Sequence, residues 1–185
     1  ATYVLLDGGT GHPLALIVGG ELVQSASLDD QVEVILPKTG FYIESGGQVD
    51  DTGYIRALTP FSSPNGRGGS EQGVEGEGAW EIEITGVRRP SAGVIVHIGT
   101  VISGQPKVGD RCIAEVDMVR RHDIMRNHTA THLLHAALHQ VLGPHARQAG
   151  SLVAPTHLRF DFTHPEAMTP EQIERVERLV NEAVA

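Results

Sequence analysis

Short β-rich segments separated by glycine or aspartate turns run from residue 3 to residue 116 and restrict the folds open to this chain. Trp80, Ile82 and Ile84 alternate with two glutamates, which is typical of a strand with one buried face. Many short strands joined by such turns predict a small β-barrel. The predicted strands are Tyr3–Leu6, Leu14–Val18, Glu21–Gln24, Gln31–Leu36, Trp80–Ile84, Gly93–Ile98 and Cys112–Val116, with turns at Gly8-Gly9, Gly19-Gly20 and Asp29-Asp30.

The segment 60–79 differs from these strands in composition. It has two prolines, almost no apolar residue, and six glycines between Gly66 and Gly78. Such a segment cannot bury enough apolar surface to offset the entropy lost on ordering. We predict a long mobile loop between two strands, with no function of its own.

A helical pattern replaces the strands after residue 118. Asp123–Leu142 has helical periodicity, with an apolar stripe on one side, and Gly143-Pro144 forms a stop signal. Two strands are predicted next, followed by a second helix. These changes predict an α+β chain with two domains, 1–118 and 119–185. The stripe of the first helix is Leu134, Leu138, Val141 and Leu142, and the two strands are Ser151–Val153 and His157–Phe162.

The second predicted helix has a clear beginning and no end signal. Thr169 is the expected N-cap, Pro170 occupies the first helical position, and Gln172 completes a capping box. The last five residues contain no glycine, proline or basic residue, and the chain does not begin with methionine. We therefore expect the chain to be excised from a longer protein and truncated at its C-terminus. The apolar stripe of this helix is Ile173, Val176, Val180 and Val184.

Composition excludes two functional classes. The net charge of −9 argues against a self-sufficient nucleic-acid binder, since phosphate neutralisation needs clustered Lys and Arg. There are two local exceptions, for which a solvated surface is an equally good explanation: Arg120-Arg121-His122 with Arg126, and Arg88-Arg89.

No apolar run approaches the roughly 20 residues that span a bilayer. A single cysteine fits a reducing compartment, so we expect a cytoplasmic protein.

His128 and His132 are the candidate metal ligands. Their four-residue spacing on a helix places both imidazoles on one face, where they can share a zinc ion. Two histidines alone are a weak motif, and Thr129 stands where a zinc protease needs glutamate. His135 and His139 lie on the same side, and we interpret them as ordinary surface or half-buried histidines.

Several sequence blocks together resemble the editing domain of alanyl-tRNA synthetases. They occur in the order found in that family, from about residue 32 to the end, and free-standing editing proteins share them. They are Phe41–Gln48 (FYIESGGQ), Val108-Gly109-Asp110, Arg126–Leu138 (RNHTATHLLHAAL), Gln148–Val153 (QAGSLV) and Leu158–His164 (LRFDFTH).

The resemblance implies a fold and an activity. The fold is a small translation-protein-like β-barrel followed by an α+β domain, the second additional domain of threonyl- and alanyl-tRNA synthetases. The activity is hydrolysis of the ester that joins serine or glycine wrongly to tRNA(Ala). The implied partners are tRNA(Ala) and the remainder of the synthetase chain, without a membrane. ATP and magnesium would serve only the parent synthetase.

The resemblance also implies roles for individual residues. His128 and His132 match the first zinc pair, whereas the second pair, in a C-x-x-x-H block, has no match here and Cys112 is not its equivalent. The zinc site is therefore incomplete, and we expect the chain to be inactive alone. Thr131 and Gln148 match positions of the editing pocket and are the expected catalytic residues. The expected substrate-binding residues are Ser45, Gly46, Gly47, Gln48 and Arg159.

Elementary chemistry leaves alternatives for these roles. The Thr131 hydroxyl can instead bond back to its own helix, and the glycines can serve only a tight turn. Thr39-Gly40-Phe41 departs from the family, which commonly has proline before the phenylalanine, and we expect only a turn to change. A free-standing trans-editing hydrolase and a non-catalytic domain that binds RNA or a partner are the alternative functions.

Overall fold

The computed structural model describes residues 3–6, 15–58 and 78–184, so the predicted mobile loop lies outside the described residues except at its end, and the Gly8-Gly9 turn lies wholly outside them. The chain forms two compact units. The first comprises residues 1–43 and 50–118, and the second comprises residues 44–49 and 119–185. The segment 44–49 thus belongs with the C-terminal part of the chain, although it is far from it in sequence.

Eight described strands of the first unit form one antiparallel sheet in the order β1-β8-β5-β6-β7-β4-β2-β3. β1 and β3 are its edges, and their closure into the predicted barrel stays a prediction. The strands are β1 (Tyr3–Leu6), β2 (Ala15–Val18), β3 (Glu21–Val23), β4 (Gln31–Ile35), β5 (Gly53–Ala57), β6 (Glu81–Ser91), β7 (Val94–Ser103) and β8 (Cys112–Val116).

The predicted alternation of buried and exposed residues is confirmed in the sheet. Trp80, Ile82 and Ile84 are at most 3% exposed, while Glu83 between them faces solvent. β2 and β3 are joined by Gly19-Gly20, both with positive φ, as a tight two-residue hairpin turn requires. Apolar side chains from most of the strands form one core, which stabilises this unit by burial.

The second unit contains α1 (Met118–Leu142, whose first residue belongs to the first unit), β9 (Gln148–Val153), β10 (Leu158–Phe162) and α2 (Pro170–Val184). β9 and β10 pair antiparallel. Leu138 is buried against Val176, and the rest of the predicted stripe of α1 packs around them. Gly143, with φ of 105°, ends α1 as predicted.

The predicted capping box of α2 is confirmed, and its apolar stripe is partly wrong. The Thr169 backbone N–H donates to Gln172 Oε1 at 2.9 Å, and Gln172 N–H donates to Thr169 Oγ1 at 3.3 Å. Ile173 and Val184 are 45% and 69% exposed. Val176 and Val180 pack as predicted, and Leu179 packs with them, so the buried face includes Leu179 in place of the two ends of the predicted stripe.

His97 is a fully buried histidine at the centre of the sheet. It lies on β7 opposite Val34, and its Nδ1 is 3.1 Å from the Val34 carbonyl oxygen, to which it donates. Nε2 therefore accepts from the Thr39 hydroxyl at 2.7 Å, and the same hydroxyl accepts from the Phe41 N–H. The Thr39-Gly40-Phe41 segment thus supplies the partner of a buried imidazole, which is more than the turn expected there.

We predict that acid destabilises the first unit through His97. Burial lowers the pKa of His97, and the hydrogen bond to Val34 opposes this shift only in part. The unfolded chain then binds a proton from about pH 6.5 downward that the folded unit does not bind. The free energy of unfolding should therefore fall as the pH drops from 6.5 toward the lowered folded value.

Trp80, the single tryptophan and a core residue of this unit, reports the transition in urea titrations across that range. His97→Gln, which removes the titrating group, should show a shallower pH dependence than the wild type. Equal slopes for the two proteins would contradict the prediction.

No helix among the described residues is long and apolar enough to cross a membrane.

Candidate metal and substrate site

Helix α1 places His128 and His132 side by side, one turn apart. Their Nε2 atoms are 3.1 Å apart and their ring centroids 5.0 Å apart, with the ring planes tilted by 34°. His128 is half-buried and His132 is exposed. Two imidazole nitrogens thus converge on one point at the surface of the second unit.

This pair fits two positions of a zinc site. A zinc–nitrogen bond is about 2.0–2.1 Å long, so one ion can contact two nitrogens 3.1 Å apart. Within residues 3–6, 15–58 and 78–184, however, no group of three or more His, Cys, Asp or Glu side chains is placed to hold a metal. The described part of the chain therefore offers at most two protein ligands of the four that a structural zinc site uses.

The predicted glycine-rich segment forms a tight turn against β9. Ser45 and Gln48 exchange two backbone hydrogen bonds of 3.2 and 3.0 Å around Gly46 and Gly47, whose φ values are 60° and 84°. The Val153 N–H donates to the Gly47 carbonyl at 2.7 Å, which anchors the turn. This turn explains why residues 44–49 belong to the second unit.

Gln48 faces the histidine pair. Its Oε1 lies 2.6 Å from Nδ1 of His128. The side chain expected to bind substrate is therefore engaged with the first candidate ligand, on the nitrogen opposite the one that faces His132.

Gln148 is connected to the turn through a serine that the sequence did not single out. Its Nε2 donates to Ser151 Oγ at 3.1 Å, and Ser151 Oγ donates to the Gly46 carbonyl at 3.3 Å. Gln148 is exposed at the start of β9. The structure thus brings Gly46, Gly47, Gln48, Gln148 and the histidine pair into one hydrogen-bonded arrangement. Only the occurrence of Ser151 in the Gln148–Val153 block hinted at its part.

Thr131 and Arg159 have other partners. Thr131 is 7% exposed, and its hydroxyl donates to the Asn127 carbonyl one turn back, at 2.8 Å. This is the helix-back bond weighed above as the alternative to substrate contact. Arg159 lies on β10 with a side chain 63% exposed, and its Nε donates to Asp161 at 3.2 Å. The catalytic and substrate-binding roles of both residues stay predictions.

Asn127, directly before the first histidine, anchors this part of α1. Its Nδ2 donates to the carbonyls of Ala154 and Pro155 at 2.7 and 3.2 Å. These bonds join the helix to the connection between β9 and β10. Since they act one residue from His128, they help to fix which way the histidine face points. Its position beside His128 was the only sequence signal for this role.

We predict that Asn127→Ala lowers the free energy of unfolding of the second unit by about 1–3 kcal/mol, because two half-buried carbonyls lose their donor. Apart from the first residue of α1, both helices belong to this unit, so circular dichroism at 222 nm in urea follows it. Asn181→Ala, on the exposed surface of α2, should change stability by less than about 0.5 kcal/mol. Equal effects of the two changes would contradict the anchoring role.

His135 and His139 form a separate pair further along α1. Their ring centroids are 4.4 Å apart, edge to face, and the His135 ring also packs 5.1 Å from Phe160. Buried Nε2 of His135 has no hydrogen-bond partner among the described residues. His135 is half-buried and His139 is exposed, which agrees with their interpretation as ordinary surface or half-buried histidines.

Cys112 is part of the core of the first unit. It is 3% exposed on β8, and burial, aided by the charge of Asp110, raises the pKa of its thiol to about 12. A thiol of this kind is poorly suited to bind metal, which needs the thiolate.

The basic clusters are engaged in ion pairs at two positions. Arg88 Nη2 donates to both carboxylate oxygens of Glu33 at 2.8 Å, and Arg126 pairs with Asp123 on α1. These contacts are compatible with the interpretation of both clusters as solvated surface.

Comparison with known proteins identifies the family. Residues 9–120 match the family model of the class II (A) tRNA synthetases. The chain is 50% identical over 173 residues, 94% of its length, to the alanine–tRNA ligase of Roseiflexus sp.. It is 47% identical over 171 residues to that of Chloroflexus aurantiacus and 49% identical over 168 residues to that of Thermus thermophilus, or 92% and 91% of its length. In each comparison the chain spans 17% of the relative. The chain belongs to the class II (A) tRNA synthetases.

Proposed function

We propose that this chain is part of an alanine–tRNA ligase and forms most of its editing module, which hydrolyses serine or glycine from mischarged tRNA(Ala). The observation that carries the proposal is the convergence of His128 and His132 beside the Gly46–Gln48 turn. The proposal is also supported by the 50% sequence identity with an alanine–tRNA ligase over 94% of the chain.

His128 and His132 would hold a zinc ion in this function. Zinc, when bound, supplies a positive charge that can polarise a water or orient the amino group of the substrate. The ligands that complete the site are proposed to come from the remainder of the synthetase chain. ATP and magnesium belong in this proposal to the aminoacylation reaction of the parent protein.

The described residues can contribute to substrate recognition in a defined way. The backbone of the Gly46–Gly47 turn can approach an ester closely, since neither residue has a Cβ. Gln148 presents an amide with both donor and acceptor, and Ser151 restrains it. A site that hydrogen-bonds the serine hydroxyl leaves its own polar groups unpaired when alanine enters. Binding and hydrolysis of the correctly charged Ala-tRNA(Ala) are therefore disfavoured. Gln148 is our first candidate for that contact and Thr131 the second, with Ser45, Gln48 and Arg159 at the border of the site.

The proposal includes a fold and a cellular setting. The eight-stranded sheet is compatible with a translation-protein-like barrel, and the second unit with the beginning of the second additional domain of threonyl- and alanyl-tRNA synthetases. The protein would act in the cytoplasm on tRNA(Ala). Because the chain carries a net charge of −9, most affinity for tRNA is proposed to lie in other parts of the synthetase.

Deacylation assays with the full-length synthetase and with this 185-residue chain test the proposal. The full-length protein should hydrolyse Ser-tRNA(Ala) and spare Ala-tRNA(Ala), while the chain alone should be inactive or strongly impaired. Full activity of the chain alone would favour the free-standing hydrolase. Binding of tRNA without hydrolysis by either protein would favour the non-catalytic alternative.

A further inference from the structure

The backbone of Gln48 is held on both sides. In the turn before it, Gly46 and Gly47 both have positive φ, and the two hydrogen bonds between Ser45 and Gln48 close the turn. On either side of Gln48, the Val153 N–H donates to the Gly47 carbonyl at 2.7 Å, and the Val49 N–H donates to the Val153 carbonyl at 3.1 Å. The root of the Gln48 side chain is therefore fixed against β9.

From this fixed position the side chain reaches only one nitrogen of His128. Gln48 Oε1 is 2.6 Å from Nδ1, whereas Nε2 of the same ring faces His132 at 3.1 Å. An amide oxygen accepts and cannot donate, so this contact requires a proton on Nδ1. In a neutral imidazole, a proton on Nδ1 leaves the lone pair on Nε2.

We propose that Gln48 is a positioning residue that holds His128 in the tautomer protonated on Nδ1. It thereby keeps the lone pair of Nε2 directed at the point shared with His132. Partners of this kind fix the ring orientation and basicity of metal-binding histidines, and their loss typically weakens metal affinity about 10- to 100-fold. The metal part of this inference rests on the proposed function, while the tautomer does not.

The tautomer is measured first, in the metal-free chain labelled with ¹⁵N-histidine, at a pH where the imidazoles are neutral. Long-range ¹H–¹⁵N correlation distinguishes a protonated Nδ1 from a protonated Nε2. The wild type should show His128 protonated on Nδ1. Gln48→Glu, which keeps an acceptor, should preserve this state. Gln48→Leu should give a mixture of tautomers, and Gln31→Leu, which removes an exposed glutamine bonded to Thr100 in the first unit, should change nothing.

The wild-type spectrum tests the proposal even if a variant fails to fold. His128 protonated on Nε2 in the wild type would overturn it, as would an unchanged tautomer in folded Gln48→Leu.

Zinc titration of the full-length protein follows as a second readout. Gln48→Leu should bind zinc about 10- to 100-fold more weakly than the wild type, with Gln48→Glu restoring most of the affinity. Equal zinc affinities of the wild type and Gln48→Leu would overturn the metal part of the proposal. A protonated Nδ1 in a full-length protein that binds no zinc would sustain the positioning role and refute the proposed metal site.

Discussion

Replacing His132 with alanine in the full-length synthetase should lower the rate of Ser-tRNA(Ala) hydrolysis by about 100-fold or more and weaken zinc binding by at least as much. His132 supplies one of the two nitrogens that converge at 3.1 Å. Loss of a residue that merely supports a metal ligand costs about 10- to 100-fold, so loss of a ligand should reach or exceed the upper end of that range. His132 is exposed, so the change should leave the fold intact.

The matched control for this prediction is His139→Ala. His139 is also an exposed histidine on the same side of α1, but it contacts His135 and not the converging pair. Its replacement should leave hydrolysis and zinc content close to wild type. Aminoacylation of tRNA(Ala) by both variants provides a second control, because the proposal assigns that reaction to another part of the protein. A His132→Ala enzyme that edits at the wild-type rate would remove the histidine pair from the mechanism.

Most of the secondary structure could be predicted from the sequence, because strand and helix signals depend on residues that are close together in the chain. β1 and β8 begin and end where their β-rich runs predict, and the capping box of α2 depends on two residues three apart. β5 was missed, since Gly53–Ala57 has one strongly apolar residue, Ile55, whose complete burial depends on pairing with β6 and β8. The exposed ends of α2 were misassigned because a stripe of valines and isoleucine does not fix the rotation of the helix within the unit.

In the candidate site, too, the features set by local spacing could be predicted, and the contacts between distant residues could not. Spacing alone put His128 and His132 on one face of a helix, and the structure brings their Nε2 atoms together as that spacing predicts. The contact of Gln48 with His128 joins residues 80 positions apart, and no local pattern encodes such a distance. Ser151 and Asn127 act through backbone carbonyls of distant segments, so their own residue types gave little warning of these contacts.

Replacing Gly47 with alanine should destabilise the second unit by about 2–5 kcal/mol and impair editing with it. Two effects add. Alanine at φ of +84° is strained by about 1–2 kcal/mol. A Cβ at this position would lie 2.4 Å from both the carbonyl oxygen and Oγ of Ser151, and relief of such a clash typically costs about 1–3 kcal/mol. The turn must then move away from β9 and carry Gln48 with it.

Substitutions at two other glycines serve as controls, because they introduce the backbone strain without the steric clash. Gly46 in the same turn and Gly20 in the β2–β3 hairpin also have positive φ, and nothing lies within 4 Å of a Cβ added at either position. Gly46→Ala and Gly20→Ala should therefore show only the conformational cost of about 1–2 kcal/mol. Urea unfolding followed at 222 nm reports Gly46→Ala and Gly47→Ala, and Trp80 fluorescence reports Gly20→Ala in the first unit. If Gly47→Ala costs no more than Gly46→Ala, the close approach of the turn to Ser151 does not hold the site together.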